Sequence, residues 1–315
     1  MSEAIHPLVD AVKRFFAQPQ PEARRIFHGR GRQFPGLEHI CLDWYSPLVL
    51  ISAFEPIDEM DQLMEYLLAA DQEKQIQSVV LQRRYERGAP ADCIFGEELD
   101  SITVIENGLQ FEVHPGRRQN AGLFMDMRLV RQWLMENSRG RNVLNLFAYT
   151  CSLSVAALAG EASSVTSVDI SKTSIAWGKR NHELNAQSSR SVRAIPYNLF
   201  TSWGRVKQYG RYDLVIIDPP TRQRGSFDAE KDYGAVVKRL NSLCNPGAEI
   251  IACLNSPFLK SPWMHTLFEE YCPVAEFVER LPVAPEYPDI EPERGLKIFR
   301  FRMTAQAESQ RGSSE

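Results

Sequence analysis

The sequence predicts an α/β protein: a doubly wound, mostly parallel seven-stranded sheet, preceded by a smaller α+β domain. Three observations carry this. Residues 129–303 alternate apolar strand-like runs with amphipathic helix-like runs, the pattern of a sheet covered by helices. The run DLVIIDPP (213–220) is almost continuously apolar up to its acid, as expected of a strand buried on both faces. The first hundred residues instead carry short strands joined by tight turns, with two isolated helices. The expected division is 1–110, 111–303 and a tail, 304–315, that lacks any apolar pattern and is expected to be disordered.

In chain order, HPLVDAVKRFFAQ sets Leu8, Val12, Phe15 and Phe16 near helical spacing. RRIFHGRGRQFPGLEH is rich in Gly and Arg and reads as a loop. ICLDWY and PLVLISAF are strands around a turn at Ser46-Pro47. MDQLMEYLLAAD places Met60, Leu63, Met64, Leu67 and Leu68 on one helix face. SVVLQRRY is a strand. SITVIENGLQFEVHP is a hairpin, because Asn107-Gly108 tolerates the positive φ angles of a type I′ turn.

In the second part NVLNLF is a strand and CSLSVAALAG a helix ending at Gly160. VTSVDI is a strand, followed by SKTSIAWGKRNHELN, a helix with Ser171 as N-cap. VRAIPYN is a weaker strand and DLVIIDPP a strong one. AEKDYGAVVKRLNSLC is a helix, AEIIACLNS a strand, and PWMHTLFEEYC a helix opened by Pro262. AEFVERLPV and LKIFRFRM have no crossover helix between them, so they are expected to pair antiparallel.

Composition narrows the function classes. Hydrophobic residues make up 43% of the 315 residues, which suits folded domains. A net charge of -4 argues against a protein that coats nucleic acid with a wholly basic surface, though not against a local basic groove. No apolar run is long enough to cross a bilayer, and MSEAIHPLVDAVKRFF lacks the apolar core of a signal peptide. The six cysteines form no CxxC pair, so neither a zinc site nor a disulfide framework is expected. Reduced thiols and a cytoplasmic location follow as expectations. The oligomeric state is left open.

The chemistry concentrates at strand ends, where open α/β sheets bind ligands. The first strand ends at Phe147 and the second at Asp169, about 20 residues beyond the first turn, the spacing of a carboxylate that bonds ribose hydroxyls. The turn itself, Ala148-Tyr149-Thr150-Cys151, has no glycine. Phosphates need closely approachable backbone N–H groups, so a ligand with ribose and no phosphate suits this turn better than a dinucleotide. S-adenosylmethionine is such a ligand. The bland alternative is a tight strand-to-helix turn beside a helix-capping acid. Asp218-Pro219-Pro220-Thr221 then delivers a carboxylate to the rim on a backbone stiffened by two prolines, which suits in-line placement of a methyl acceptor; the bland reading is a rigid strand terminator.

VLNLFAYTCSLSVAALAG, VTSVDISKTSIAWGKRNHELN and DLVIIDPPT together resemble the class I S-adenosylmethionine-dependent methyltransferases, and more narrowly the group that modifies bases of large-subunit ribosomal RNA. ENGLQFEV and QNAGLFMDMR resemble the hairpin and GLFxDxR pattern that precede the first strand in that group. The resemblance covers residues 100 to 303 well and 37 to 100 more weakly. It implies a Rossmann-like methyltransferase fold with S-adenosylmethionine as cofactor and RNA as partner. Asn145, Phe147, Ala148 and Thr150 would lie along the cofactor, Asp169 would take the ribose hydroxyls, and Ile170 would pack on adenine. Asn198 stands where the group usually has an acid that accepts the adenine amino group. Gln119, Phe124 and Asp126 would form a lid, and Asp218, Pro219 and Pro220 would sit at the transfer point. Cys151 replaces the usual glycine.

Cytosine-C5 enzymes of this kind use a cysteine nucleophile after the fifth strand. Here that position falls on Asn255, followed by Ser256, while Cys253 lies inside the strand. The arrangement resembles the guanine-N7 branch, in which a ring nitrogen is methylated by direct displacement. RRIFHGRGR, QRRYER and PGRRQ, with Phe27, Phe34 and Tyr85, are candidate RNA-contacting segments or else solvated charge. Three competing readings remain: a methyltransferase for a small molecule or protein, a non-catalytic RNA-binding module, and an NAD-dependent dehydrogenase, the last disfavoured by the missing glycines.

Overall fold

The computed structural model describes residues 5–223 and 225–304; the tail expected at 304–315 lies, apart from Thr304, outside them. The chain divides into two compact units. The first ends at Arg128 and takes in Ala284–Glu291; the second runs Leu129–Val283 and resumes at Pro292. The cut therefore falls after the 102–113 hairpin, and a later loop joins the first unit.

The first unit is α+β. Its sheet orders β1 (Arg24–His28), β2 (Ile40–Tyr45), β3 (Leu48–Ala53), β4 (Ser78–Arg83) and β5 (Ala91–Gly96) consecutively. All neighbours are antiparallel except β3 and β4, which α2 (Met60–Ala70) connects by a crossover. Every residue of β2 and β3 is buried. Leu63 and Leu67 of α2 and Leu8, Val12 and Phe16 of α1 (His6–Phe16) fill the core against Leu42, Trp44, Val49 and Ile51. The predicted hairpin forms as β6 (Ile102–Glu106) and β7 (Leu109–Val113), with φ of 52° at Asn107 and 73° at Gly108, the two left-handed residues a type I′ turn requires.

The second unit is the doubly wound sheet. Its order is β10 (Val192–Ile195), β9 (Ser164–Val168), β8 (Asn142–Leu146), β11 (Tyr212–Ile217), β14 (Cys244–Asn255), β16 (Leu296–Met303), β15 (Ala275–Leu281). The first five are parallel, and β16 alone runs against its neighbours, as the missing crossover helix predicted. The helices are α3 (Arg128–Asn137), α4 (Ser152–Ala159), α5 (Lys172–Leu184), α6 (Trp203–Gln208), α7 (Ala229–Leu243) and α8 (Ser261–Tyr271), with a two-residue ladder between β12 (Arg222–Gln223) and β13 (Phe227–Asp228). Ser171 caps α5, its side chain accepting the Ser174 N–H at 3.1 Å. The core lies around β11, where Leu214, Val215, Ile216 and Ile217 are wholly buried. No helix among the described residues is long and apolar enough to cross a membrane.

Candidate functional site

The parallel register sets one row of residues across the sheet: Ile195, Val168, Leu146, Ile217 and Ala252. The next residues of the three central strands are Asp169, Phe147 and Asp218. Strand order reverses between β8 and β11, since the chain goes from β8 outward to β10 and then returns, so these residues stand at the switch point where such sheets bind ligands. With strands about 4.8 Å apart, the two acids flank Phe147 at roughly 10 Å from each other.

The turn after β8 takes an unusual path. Phe147, Tyr149 and Cys151 all adopt left-handed backbone, with φ of 60°, 46° and 60°. None is glycine, and each such residue costs about 1–2 kcal/mol. Hydrogen bonds hold the path. The Ala148 N–H donates to the Val168 carbonyl at 3.0 Å and the Cys151 N–H to the Ala148 carbonyl at 2.7 Å. The Tyr149 N–H donates to Asp169 Oδ2 at 2.8 Å, and the other oxygen, Oδ1, accepts the Ser171 N–H at 2.8 Å. Three N–H groups of the turn are therefore engaged within the protein, and a phosphate would have to compete for them. The turn is built against a phosphate and leaves the second lone pairs of the Asp169 oxygens for hydroxyl donors.

Burial raises the Asp169 pKa above the ordinary carboxylate value, against the pull of the Ser171 and Tyr149 N–H groups. Ile170, the next residue, is 41% exposed and offers an apolar face beside that carboxylate. Asn198, beyond β10, is half-buried; its side-chain oxygen accepts the Phe200 N–H at 2.8 Å, which leaves one lone pair on the oxygen and the amide N–H groups. A carboxylate acceptor beside an exposed apolar side chain is a set of groups that an adenosine would fit.

Several predicted residues build the site from beneath. Asn145 is wholly buried, its amide donating to Ser154 Oγ at 2.9 Å, and Ser154 in turn bonds Ser167 at 2.7 Å, which ties α4 to β8 and β9. Thr150 is 1% exposed, and its carbonyl accepts from Asn181 Nδ2 at 2.9 Å. Ala148 is buried, and Phe147 packs its ring 4.8 Å from that of Phe227. The Cys151 side chain fills space left by a glycine on α5: a Cβ at Gly178 would lie 2.4 Å from Cys151 Sγ. Burial pushes the Cys151 thiol up to about 12, so it is inert.

The ends of β11 and β14 are tied together. Thr221 Oγ1 donates to the Asn255 carbonyl. The buried Tyr233 hydroxyl on α7 donates to the Cys253 carbonyl at 3.0 Å. Asp218 is half-buried at the rim, Pro219 buried and Pro220 exposed. Asn255 is exposed where the cysteine nucleophile was sought, whereas Cys253 is wholly buried. Below Asn255 the Lys297 ammonium, with no exposed surface, donates to the carbonyls of Ser256, Glu293 and Gly295 at 2.9, 2.8 and 2.8 Å. Burial lowers its pKa to about 8. Phe258, 79% exposed, stands three residues past Asn255. Sequence reading singled out none of Tyr233, Gly178, Lys297 or Phe258; only Lys297, a charge inside an apolar strand, carried a signal. Gln119, Phe124 and Asp126 belong to the first unit, where they line a cavity of about 280 Å³.

The profile of a family described as S-adenosylmethionine-dependent methyltransferase matches residues 24–302. The chain is 41% identical over 163 residues to the Ribosomal RNA large subunit methyltransferase K/L of Shewanella pealeana, covering 50% of this chain and 22% of that protein. It is 31% identical over 270 residues to the protein of the same name from Shewanella sediminis, covering 80% of this chain and 37% of that one. The chain thus spans between about a fifth and two fifths of the length of these relatives. Among solved structures it resembles SMU.776 complexed with SAH, with a TM-score of 0.82 and 23% identity over 96% of this chain and 83% of that chain.

Proposed function

The chain belongs to the S-adenosylmethionine-dependent methyltransferases, and on that premise we propose that it methylates a ring nitrogen of a large-subunit ribosomal RNA base, guanine N7 foremost. The names of the relatives support the RNA class. The nitrogen rests chiefly on one observation: the rim beyond β14 presents Asn255 and no thiol. Of the six cysteines, Cys41, Cys151, Cys244, Cys253 and Cys272 are buried, and Cys93 lies on β5 of the other unit. Burial raises Cys41, Cys151, Cys244 and Cys272 away from the thiolate form that C5 chemistry needs. A ring nitrogen with its own lone pair needs no nucleophile from the protein.

In this reading Asp169 accepts the ribose hydroxyls, Ile170 supports the adenine, and Asn198 meets its edge with the remaining amide groups. Phe147 and Ala148 border the ligand; Asn145 and Thr150 hold the turn that receives it. When bound, the cofactor supplies a methyl group on a sulfonium. Asp218, Pro219, Pro220 and Asn255 orient the acceptor base, and positioning is the main catalytic contribution. Residues 1–110 serve the RNA. The test is transfer of radiolabelled methyl to large-subunit ribosomal RNA from a strain lacking the gene, followed by mass spectrometry of the nucleosides. Label in a methylated guanosine is expected. Label in 5-methylcytidine overturns the nitrogen assignment, and no label in RNA overturns the substrate class.

A further inference from the structure

The Arg-rich segments of the first unit sort by partner. Arg24 pairs with Glu22 and Glu286, and Arg25 binds both oxygens of Asp43 at 2.7 and 2.8 Å. Arg32 pairs with Asp289 and Glu291, Arg83 with Glu86 and Asp92, and Arg117 with Glu98 and Asp100. These arginines are internally neutralised. Arg30 and Arg84 differ: among the described residues neither has a carboxylate within ion-pair distance. They come from different segments yet share one ring, with guanidinium carbons 4.2 and 5.5 Å from the Phe54 centroid.

Both line the 280 Å³ cavity, which also receives Arg25, Asp43, His28 and Gln119. Its size is at the small end for ligand pockets. Arg84 donates to the Gln119 carbonyl, so the third Arg-rich segment, 115–119, closes the same wall. His28 adds no charge, since burial, Arg25 and Arg30 hold its pKa near 3. Three guanidiniums thus face two carboxylates, Asp43 and Asp126, and Asp43 is already matched by Arg25. Arg84 carries the strain of this surplus: burial and then Arg30 lower its pKa. Two like charges held on one half-buried ring, with no carboxylate within ion-pair distance among the described residues, are the arrangement an incoming anion relieves.

We propose that Arg30 and Arg84, on the Phe54 ring, clamp one phosphodiester of the RNA substrate in this cavity. The assignment rests on the RNA reading above, but it fails separately. The experiment uses the full chain with SAH and a fluorescein-labelled fragment of large-subunit ribosomal RNA, followed by anisotropy against salt concentration. The Arg30→Gln/Arg84→Gln double variant is expected to bind at least tenfold more weakly. Its plot of log affinity against log salt should be flatter by about 0.7 to 0.9, the share of one phosphate contact. Arg30→Lys/Arg84→Lys should restore most of the slope, since it keeps the charge. On the unsubstituted protein, RNA should slow hydrogen exchange in 24–32 and 82–87, a readout that needs no variant to fold. Unchanged affinity and slope, an affinity loss without a slope change, or no exchange protection each overturns the clamp. Displacement of the RNA by equimolar inorganic phosphate or guanosine monophosphate makes it a small-anion site and overturns the RNA assignment. Methyl transfer to RNA that is indifferent to both arginines sinks the clamp and leaves the function standing; tight, arginine-dependent binding without methyl transfer does the reverse.

Discussion

Replacing Asp169 by Asn separates its two duties. In the folded protein one oxygen accepts the Tyr149 N–H and the other the Ser171 N–H, both at 2.8 Å. An amide keeps one acceptor and turns an NH₂ toward one of those donors, leaving a backbone N–H without a partner at a cost of about 1–3 kcal/mol. Against this stands a gain. Burial raises the carboxylate's pKa in the folded chain, so from this group stability is present at low pH and lost as pH rises through the raised value. At neutral pH the charged acid is therefore a cost that the neutral amide removes. The two contributions oppose, so the free protein should lose less stability than the broken hydrogen bond alone would cost. Cofactor binding has no such compensation. Ribose hydroxyls lose an ionised acceptor, worth about 2 kcal/mol or roughly thirtyfold in affinity. Isothermal calorimetry with SAH and scanning calorimetry of the free protein measure the two separately. Wild-type affinity should also fall on acidification, at a higher pH than an exposed carboxylate would cause, while the variant stays flat. Unchanged SAH affinity would refute the ribose assignment, and a thermal loss matching the affinity loss would reduce Asp169 to a turn fastener.

Three further outcomes follow from the geometry. Asp218→Asn should lower turnover by about 100-fold, with SAH affinity within threefold of wild type; equal losses in stopped assays and calorimetry would remove it from the transfer point. Lys297→Met strands three carbonyls and should cost about 1–3 kcal/mol in urea unfolding. Because the folded lysine releases its proton near pH 8 and the unfolded one only near 10.4, the unfolded chain binds more protons between those values and wild-type stability gains on the variant as pH rises through that window; a constant difference would contradict the burial. Gly178→Ala should destabilise by about 1–3 kcal/mol through its clash with Cys151, and adding Cys151→Gly should recover most of that in a double-mutant cycle; additive losses would show that the two do not touch.

Period and punctuation made the fold legible. DLVIIDPP had to be a central strand because its middle, Leu214 to Ile217, offers no polar face to water, and Asn107-Gly108 had to be a turn because both residues accept positive φ. Two strands and two helices escaped: β1 lies in a Gly- and Arg-rich segment read as a loop, and β5 was not expected. Residues 203–208 form only six residues with a glycine among them, and 128–137 have a buried face that includes an arginine, Arg131. The site was legible as positions on strand ends and less so as directions of side chains. Asn145 and Asp169 both sit at the carboxyl side of their strands, yet Asn145 lies one residue before the last of β8 and points into the sheet's cover, whereas Asp169 lies just past β9. Asn145 pairs with Ser167, two positions before Asp169, so depth along the strand rather than the face separates the two. Arg24 and Arg32 failed to sort for another reason: their partners Glu286, Asp289 and Glu291 lie more than 250 residues away in sequence.

The left-handed residues at 147, 149 and 151 bind these observations together. A glycine at 151 would make the turn cheap and leave it loose. With cysteine there, the backbone sits in a disfavoured basin, and two outside groups keep it in place. Gly178 admits the thiol, and Asp169 holds the Tyr149 N–H. The carboxylate proposed to meet the ribose is thus the one that fixes the turn beside it. A ligand that orders Asp169 must stiffen the turn, and loss of the turn must misdirect Asp169. Binding and local rigidity are coupled through one side chain, so hydrogen exchange at residues 147–151 should slow when SAH is added. A phosphate-binding loop keeps its N–H groups for the ligand; here three are engaged within the protein, and the ligand receives a fixed acceptor in their place.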